Sequence, residues 1–251
     1  MFFCRLFLSF IFVHGSLTAV SPQVLEKVRP YLLPDNHPIK KILDHLFANR
    51  PLLNEKIFQK NGFQYHPRRE PETQLLCAKH PKLKGYLIKT YLDTQLTIGK
   101  EERNWMLRIQ GAEQIRSSIA RHGYQKLFKV PRKWIYLLPD NPSPPRRRFV
   151  LIVEDMQVLE MPENIEAYFF KMSRAKLDAL YVLLTENHLI DSLYIDNIPF
   201  CRDGKIAFID TEHFNVTDVP LRLHRIHPRL CPPLAKYWSN LISNVNTSKN
   251  P

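Results

Sequence analysis

Two oxygen-bearing side chains, Asn197 and Asp210, bracket a stretch in which Asp203-Gly204 separates two short apolar runs. Asp-Gly in that setting signals a type I′ hairpin, whose two central residues both need positive φ. With Asp203 and Gly204 in those places, Arg202 faces Lys205, Phe200 faces Ala207 and Asn197 faces Asp210. Opposed residues share a face, with Cα atoms roughly 4.5–5.5 Å apart. The turn is therefore expected to bring a carboxamide oxygen and a carboxylate together at the open end of a ribbon. The ribbon is apolar on both faces: Ile198, Phe200, Ala207 and Ile209 line one, Pro199, Cys201, Ile206 and Phe208 the other. A carboxylate is not buried there without a partner, so Asp210 must sit at the mouth of a cleft, pair with a base or hold a cation. An Asp–Asn oxygen pair suits Mg2+, which takes one or two protein oxygens and leaves the rest to water and phosphate.

The order Asn197-Ile198, Asp203-Gly204-Lys205-Ile206, Ile209-Asp210 resembles the catalytic-loop Asn and the metal-binding Asp of the protein-kinase-like fold. That resemblance implies an α+β fold of two lobes, with an antiparallel sheet in the N-lobe and a reduced helical C-lobe. It implies ATP and Mg2+ as cofactors, the metal held by Asn197 and Asp210. Asp210 is followed here by Thr211-Glu212 instead of Phe-Gly, and Ser192 stands five residues before the Asn, where the family has its catalytic Asp. Asp191, one residue earlier, is the expected proton acceptor, with Asp196 as second choice. Tyr86-Leu87-Ile88-Lys89 is similar to the strand whose lysine binds the α- and β-phosphates, and Glu113 on the next helix is the residue expected to orient Lys89.

The elements that must position these groups follow in order. Residues 21–58 read as two or three short helices, with Ile39, Ile42, Leu43 and Leu46 on one face. Strands are expected at 62–65, 75–79 and 85–93, then a helix over 102–122 whose Trp105, Ile109, Ala112 and Ile119 share a face. Arg108 and Arg116 lie on or near that stripe, where they either meet a buried anion or extend their stems to solvent. Two strands, 133–138 and 149–154, flank a stiff proline loop, and the continuous Phe-Val-Leu-Ile-Val run marks the second as central. Glu154-Asp155-Met156 falls where the resemblance implies a hinge that meets adenine through backbone groups. Residues 164–188 are helical, with Ser173 as an N-cap or break, and a short helix is expected over 234–242. No glycine-rich loop covers the phosphates. Arg68 and Arg69 occupy the corresponding loop, and a plain surface loop is the competing reading. The organisation expected is a signal segment at 1–19, a helical lead-in at 20–60, an N-lobe-like unit at 61–156, a C-lobe-like unit at 157–242 and a tail at 243–251.

The 251 residues carry a net charge of +12, with 20 prolines against 7 glycines, so loops are stiff and phosphate-cradling glycines scarce. The basic excess fits partners that bear phosphate, but there is no nucleic-acid motif. Residues 1–19 combine Arg5, an apolar run at 6–13 and Ser16–Ala19, the pattern of a secretory signal. Its run is too short to cross a bilayer, so an exported or secreted chain with no transmembrane span is expected, or a cytoplasmic one if the segment is not a signal. Cys77, Cys201 and Cys231 form neither a disulfide framework nor a zinc pattern. Three functions remain open: a kinase-like enzyme that binds Mg-ATP and transfers phosphate to a hydroxyl on a protein or small-molecule acceptor; a catalytically inactive kinase-like interaction module; and a basic exported binding protein whose hairpin is structural. The last requires Asp210 to be satisfied by an arginine.

Overall fold

The computed structural model describes residues 20–49, 53–65, 75–93, 101–139, 147–190 and 192–247. The expected signal segment, Arg68, Arg69 and Asp191 lie outside the described residues. Three short helices lead in: α1 (Pro22–Val28), capped by the Ser21 side chain, α2 (Lys40–Phe47) and α3 (Glu55–Lys60), capped by Asn54. Each cap satisfies an amide that the first turn leaves unpaired.

The chain is a mixed α+β fold built on a five-stranded antiparallel sheet. The strands are β1 (Gln64–Tyr65), β2 (Leu75–Lys79), β3 (Tyr86–Tyr91), β5 (Lys133–Leu137) and β6 (Phe149–Glu154), in the spatial order β1-β2-β3-β6-β5. Strand β6 lies inside the sheet and is buried along Phe149–Val153, as its unbroken apolar run requires. Side chains alternate between two cores. Leu76, Ala78, Ile88, Tyr136, Val150 and Ile152 pack with Leu43, Phe47 and Phe58 of the lead-in helices. Tyr91, Ile135, Phe149, Leu151 and Val153 pack with Trp105 and Ile109 of α4 (Glu101–Arg121).

After α4, a short strand β4 (Phe128–Lys129) pairs in parallel with β7 (Ile206–Ala207). Beyond β6 the chain runs into α5 (Met161–Phe170) and α6 (Arg174–Glu186), the latter capped by Ser173 accepting from the Lys176 amide. With α7 (Pro232–Thr247) and the β4–β7 pair they enclose a third core that includes Leu180, Leu184, Phe200, Phe208 and Trp238. Among the described residues, no helix is long and apolar enough to cross a membrane.

The hairpin differs from expectation by one residue. Gly204 alone takes positive φ, at 79°, so the turn is not type I′. The Gly204 amide donates to the Cys201 carbonyl, and the Cys201 amide to the Lys205 carbonyl. This is a three-residue turn over 202–204, with glycine in the left-handed position of a bulge. Asp203 caps it by accepting from the Lys205 amide, and Lys129 Nζ donates to its other oxygen at 3.0 Å. Cys201 therefore pairs with Lys205, the Ala207 amide donates to the Pro199 carbonyl and the Ile209 amide to the Asn197 carbonyl. Asn197 stands opposite Ile209, not Asp210.

Candidate functional site: the cleft beside Lys89

Lys89 sits in β3 across from Cys77 on one side and Leu151 on the other. It is buried, and its ammonium donates to the Ile209 carbonyl at 3.4 Å. Beside it a cavity of about 380 Å3 opens between the sheet and Ile209, walled by Leu75, Cys77, Leu87, Val153, Met156 and Val158. That volume lies within the roughly 300–1,000 Å3 range of small-molecule sites. Lys79 and Asp155 form an ion pair of 3.0 Å at residues lining the same cavity. The Asp155 amide donates to the Gly85 carbonyl, whereas no described residue bonds to the Met156 amide or carbonyl. The wall thus combines apolar side chains, one buried ammonium and an open backbone edge.

The segment 192–200 is fastened to α5 from below. Asn164 uses both ends of its amide there, donating to the Ile195 carbonyl and accepting from the Phe200 amide, and the Tyr168 hydroxyl donates to the Ile198 carbonyl. Ser192, buried where the resemblance implies a catalytic Asp, donates to the Asp210 carbonyl at 3.4 Å. Asp196 is exposed.

Asp210 does not face the cleft unpartnered. Arg108 of α4 reaches it at 2.5 Å through Nη1 and bonds Glu212 through Nη2. The Arg108 side chain is 8% exposed, those of Asp210 and Glu212 26% and 17%. Burial alone would raise the Asp210 carboxyl, but Arg108, then Lys89, Lys133 and His213, reverse this and hold it below its ordinary 3.8. Between the two acids, Thr211 donates to the Arg108 carbonyl and accepts from Lys133 Nζ at 2.7 Å. Burial, then the charge of Lys89, drives the Lys133 ammonium well below the usual lysine range. Helix α4 comes so close to this strip that a Cβ on Gly111 would lie 2.0 Å from the Thr211 carbonyl oxygen.

Glu113 is not where the resemblance implies. It lies on the exposed face of α4 and pairs with Arg116, one turn along, at 2.6 Å. The helix position that turns toward the 210–212 strip is Arg108, so β3's lysine and the helix do not form a Lys–Glu pair. Arg108 does meet two partly buried anions, the first of the two outcomes its place on the apolar stripe allowed. Lys133 and Thr211 were missed. A clue existed for Lys133, since period-two alternation puts it on the face of Ile135, which points at the core.

The Mg2+ pair expected from Asn197 and Asp210 does not fit these contacts. The register sets Asn197 against Ile209, and the nearer oxygen of Asp210 already meets a guanidinium. Lys89 and Lys133 also act on Asp210, so a dication there would share the carboxylate with Arg108 and two lysines. Among the described residues there is no group of three or more His, Cys, Asp or Glu placed to hold a metal.

No family model matches the sequence, and no curated protein matches it. Among solved structures, that of the Rv3197–erythromycin complex from Mycobacterium tuberculosis is similar with a TM-score of 0.32 and 17% identity, over 79% of this chain and 55% of that one. The present chain thus spans about half the length of that protein, and a likeness this slight carries no argument.

Proposed function

We propose that the chain is a two-lobed protein-kinase-like module that binds a nucleotide beside Lys89 and does not transfer phosphate. The observation that carries this reading is the engagement of Asp210 and Glu212 by Arg108, which occupies with an internal cation the carboxylate a metal would need. The cavity supports the binding half. Leu75, Leu87, Val153 and Val158 offer apolar surface for a base, the Met156 backbone offers a donor and an acceptor, and Lys89 offers charge to phosphates. ATP would contribute only its shape and charge; no step of transfer is assigned to it. Phosphotransfer through Asp191, with Mg2+ on Asn197 and Asp210, is the second reading, and it requires Arg108 to release Asp210.

The test is thermal unfolding with ATP in EDTA, with Mg-ATP, and with neither. Ligand at a hundredfold over its Kd adds about 2.7 kcal/mol, a rise of roughly 5–10 °C for a chain of this size. The proposal expects that rise with ATP in EDTA, its loss in Lys89→Met, and no further gain from Mg2+. A shift that needs Mg2+, or phosphate release that disappears in Asp210→Asn, restores the enzyme reading. The absence of any shift removes nucleotide binding altogether. Export of the chain is likewise proposed, from residues 1–19, and the N-terminal sequence of the protein recovered from the medium of an expressing cell tests it.

A further inference from the structure

The segment 213–229 follows the Asp210–Glu212 strip and is unusually basic: Arg222, Arg225, Arg229 and three histidines stand against one acid, Asp218. Within it the guanidinium of Arg225 stacks on the Tyr194 ring, 4.3 Å from its centroid. Stacking holds the planar fork in place without using its N–H donors. Among the described residues, no side-chain hydrogen bond or ion pair engages Arg225, Arg222 or the Tyr194 hydroxyl. All three line one cavity of about 190 Å3, closed by Ile190, Val219 and Pro220. Tyr194 is 44% exposed. Two guanidinium groups and a phenol with unused donors around a small cavity make a receptor for a multiply charged oxyanion.

A second cavity adjoins this one. Val219 and Pro220 also line it; it is larger, about 520 Å3, and its walls include Leu221, Leu223 and Ile242 beside His188 and His224. A free phosphate would leave that volume unused. A polypeptide would set its charged group between the arginines and lay flanking side chains against the leucines and Ile242.

We propose that this trough binds a phosphoserine-bearing segment of a partner protein, with the phosphoryl group between Arg222, Arg225 and Tyr194. The assignment is independent of the Lys89 cleft, shares no residue with it and stands whether or not a nucleotide binds there. A guanidinium pair can hold a dianion bidentately, which gives the phosphorylated form its advantage over unmodified serine.

The experiment uses the full chain and two immobilised peptide pools, degenerate for three residues on either side of a central phosphoserine or serine. Retention on the phosphoserine pool is expected to exceed that on the serine pool at least tenfold. Arg225→Gln and Arg222→Gln should each abolish the difference, while Arg225→Lys, which keeps the charge but not the fork, should retain part of it. Thermal midpoints within 2 °C of the parent chain would show that the variants fold. Equal retention on both pools overturns the proposal. So do competition by free inorganic phosphate at the same concentration as phosphopeptide, and binding to vesicles containing a phosphoinositide but not to the peptides.

Discussion

Replacing Arg108 with methionine is the most informative perturbation of the cleft. Methionine keeps much of the buried stem's volume but removes the guanidinium from Asp210 and Glu212, both mostly withdrawn from water. Breaking such a pair leaves two acids without their cation, and losses of this kind run to about 3–5 kcal/mol. At 2–4 °C per kcal/mol for a chain of this length, the lower figure is a fall of roughly 6–12 °C in the unfolding midpoint. The pH dependence carries the sign. In the parent chain the Asp210 carboxyl is held below its ordinary 3.8, so its contribution is complete above about pH 4 and is lost as the pH falls below that. In Arg108→Met burial is no longer opposed by the guanidinium, the carboxyl rises, and the deficit relative to the parent shrinks toward acid. Freed carboxylates also attract a dication, so 10 mM MgCl2 should recover several degrees in the variant and almost nothing in the parent. Circular dichroism melts from pH 3.5 to 8, with and without Mg2+, read all three. A variant that melts within 1 °C of the parent at pH 7, or a parent chain that gains as much from Mg2+ as the variant does, refutes the reasoning.

Other expectations are independent of that one. Glu101, at the start of α4, has one oxygen bonded to the Arg148 and Phe149 amides and the other buried without a partner, and burial pushes its carboxyl up to about 7. It is charged in the unfolded chain above about pH 4.5 but neutral in the fold until about 7. Stability therefore declines across that interval, by about 3 kcal/mol, and urea melts of Glu101→Gln should show a much flatter profile. Gly111→Ala brings a methyl against the Thr211 carbonyl; the gain in helix propensity of about 1 kcal/mol is smaller than the overpacking cost of about 1–3 kcal/mol, so denaturant titration should show a net loss. Cys77 lines the cavity with Lys89, and saturating ATP should slow its alkylation at least fivefold by peptide mass spectrometry while Cys231 labels at an unchanged rate.

The sheet was legible because its strands announce themselves through composition and punctuation. Phe149–Val153 could only be an interior strand, and Ser173 marked the start of α6. The hairpin was legible as a hairpin, but its phase was not. Asp-Gly fits both a two-residue turn and a three-residue turn with a glycine bulge, and the dipeptide alone does not distinguish them. That one-residue difference moved Asn197 from Asp210 to Ile209. Glu113 was misplaced for a related reason. A helix of 3.6 residues per turn presents neighbouring positions about 100° apart, and packing against 210–212, not the apolar stripe alone, decided which charged position turned inward.

The contacts of α4 have a mechanical consequence. Arg108 clasps the acids on either side of Thr211, Thr211 hangs from the Arg108 carbonyl, and Gly111 lets the two backbones touch. Helix and strip are thereby riveted at three points within one turn, and neither can pivot without dragging the other. The Ile209 carbonyl that accepts from Lys89 belongs to the chain leading directly into that strip, so the same rivets hold one partner of the buried ammonium in place.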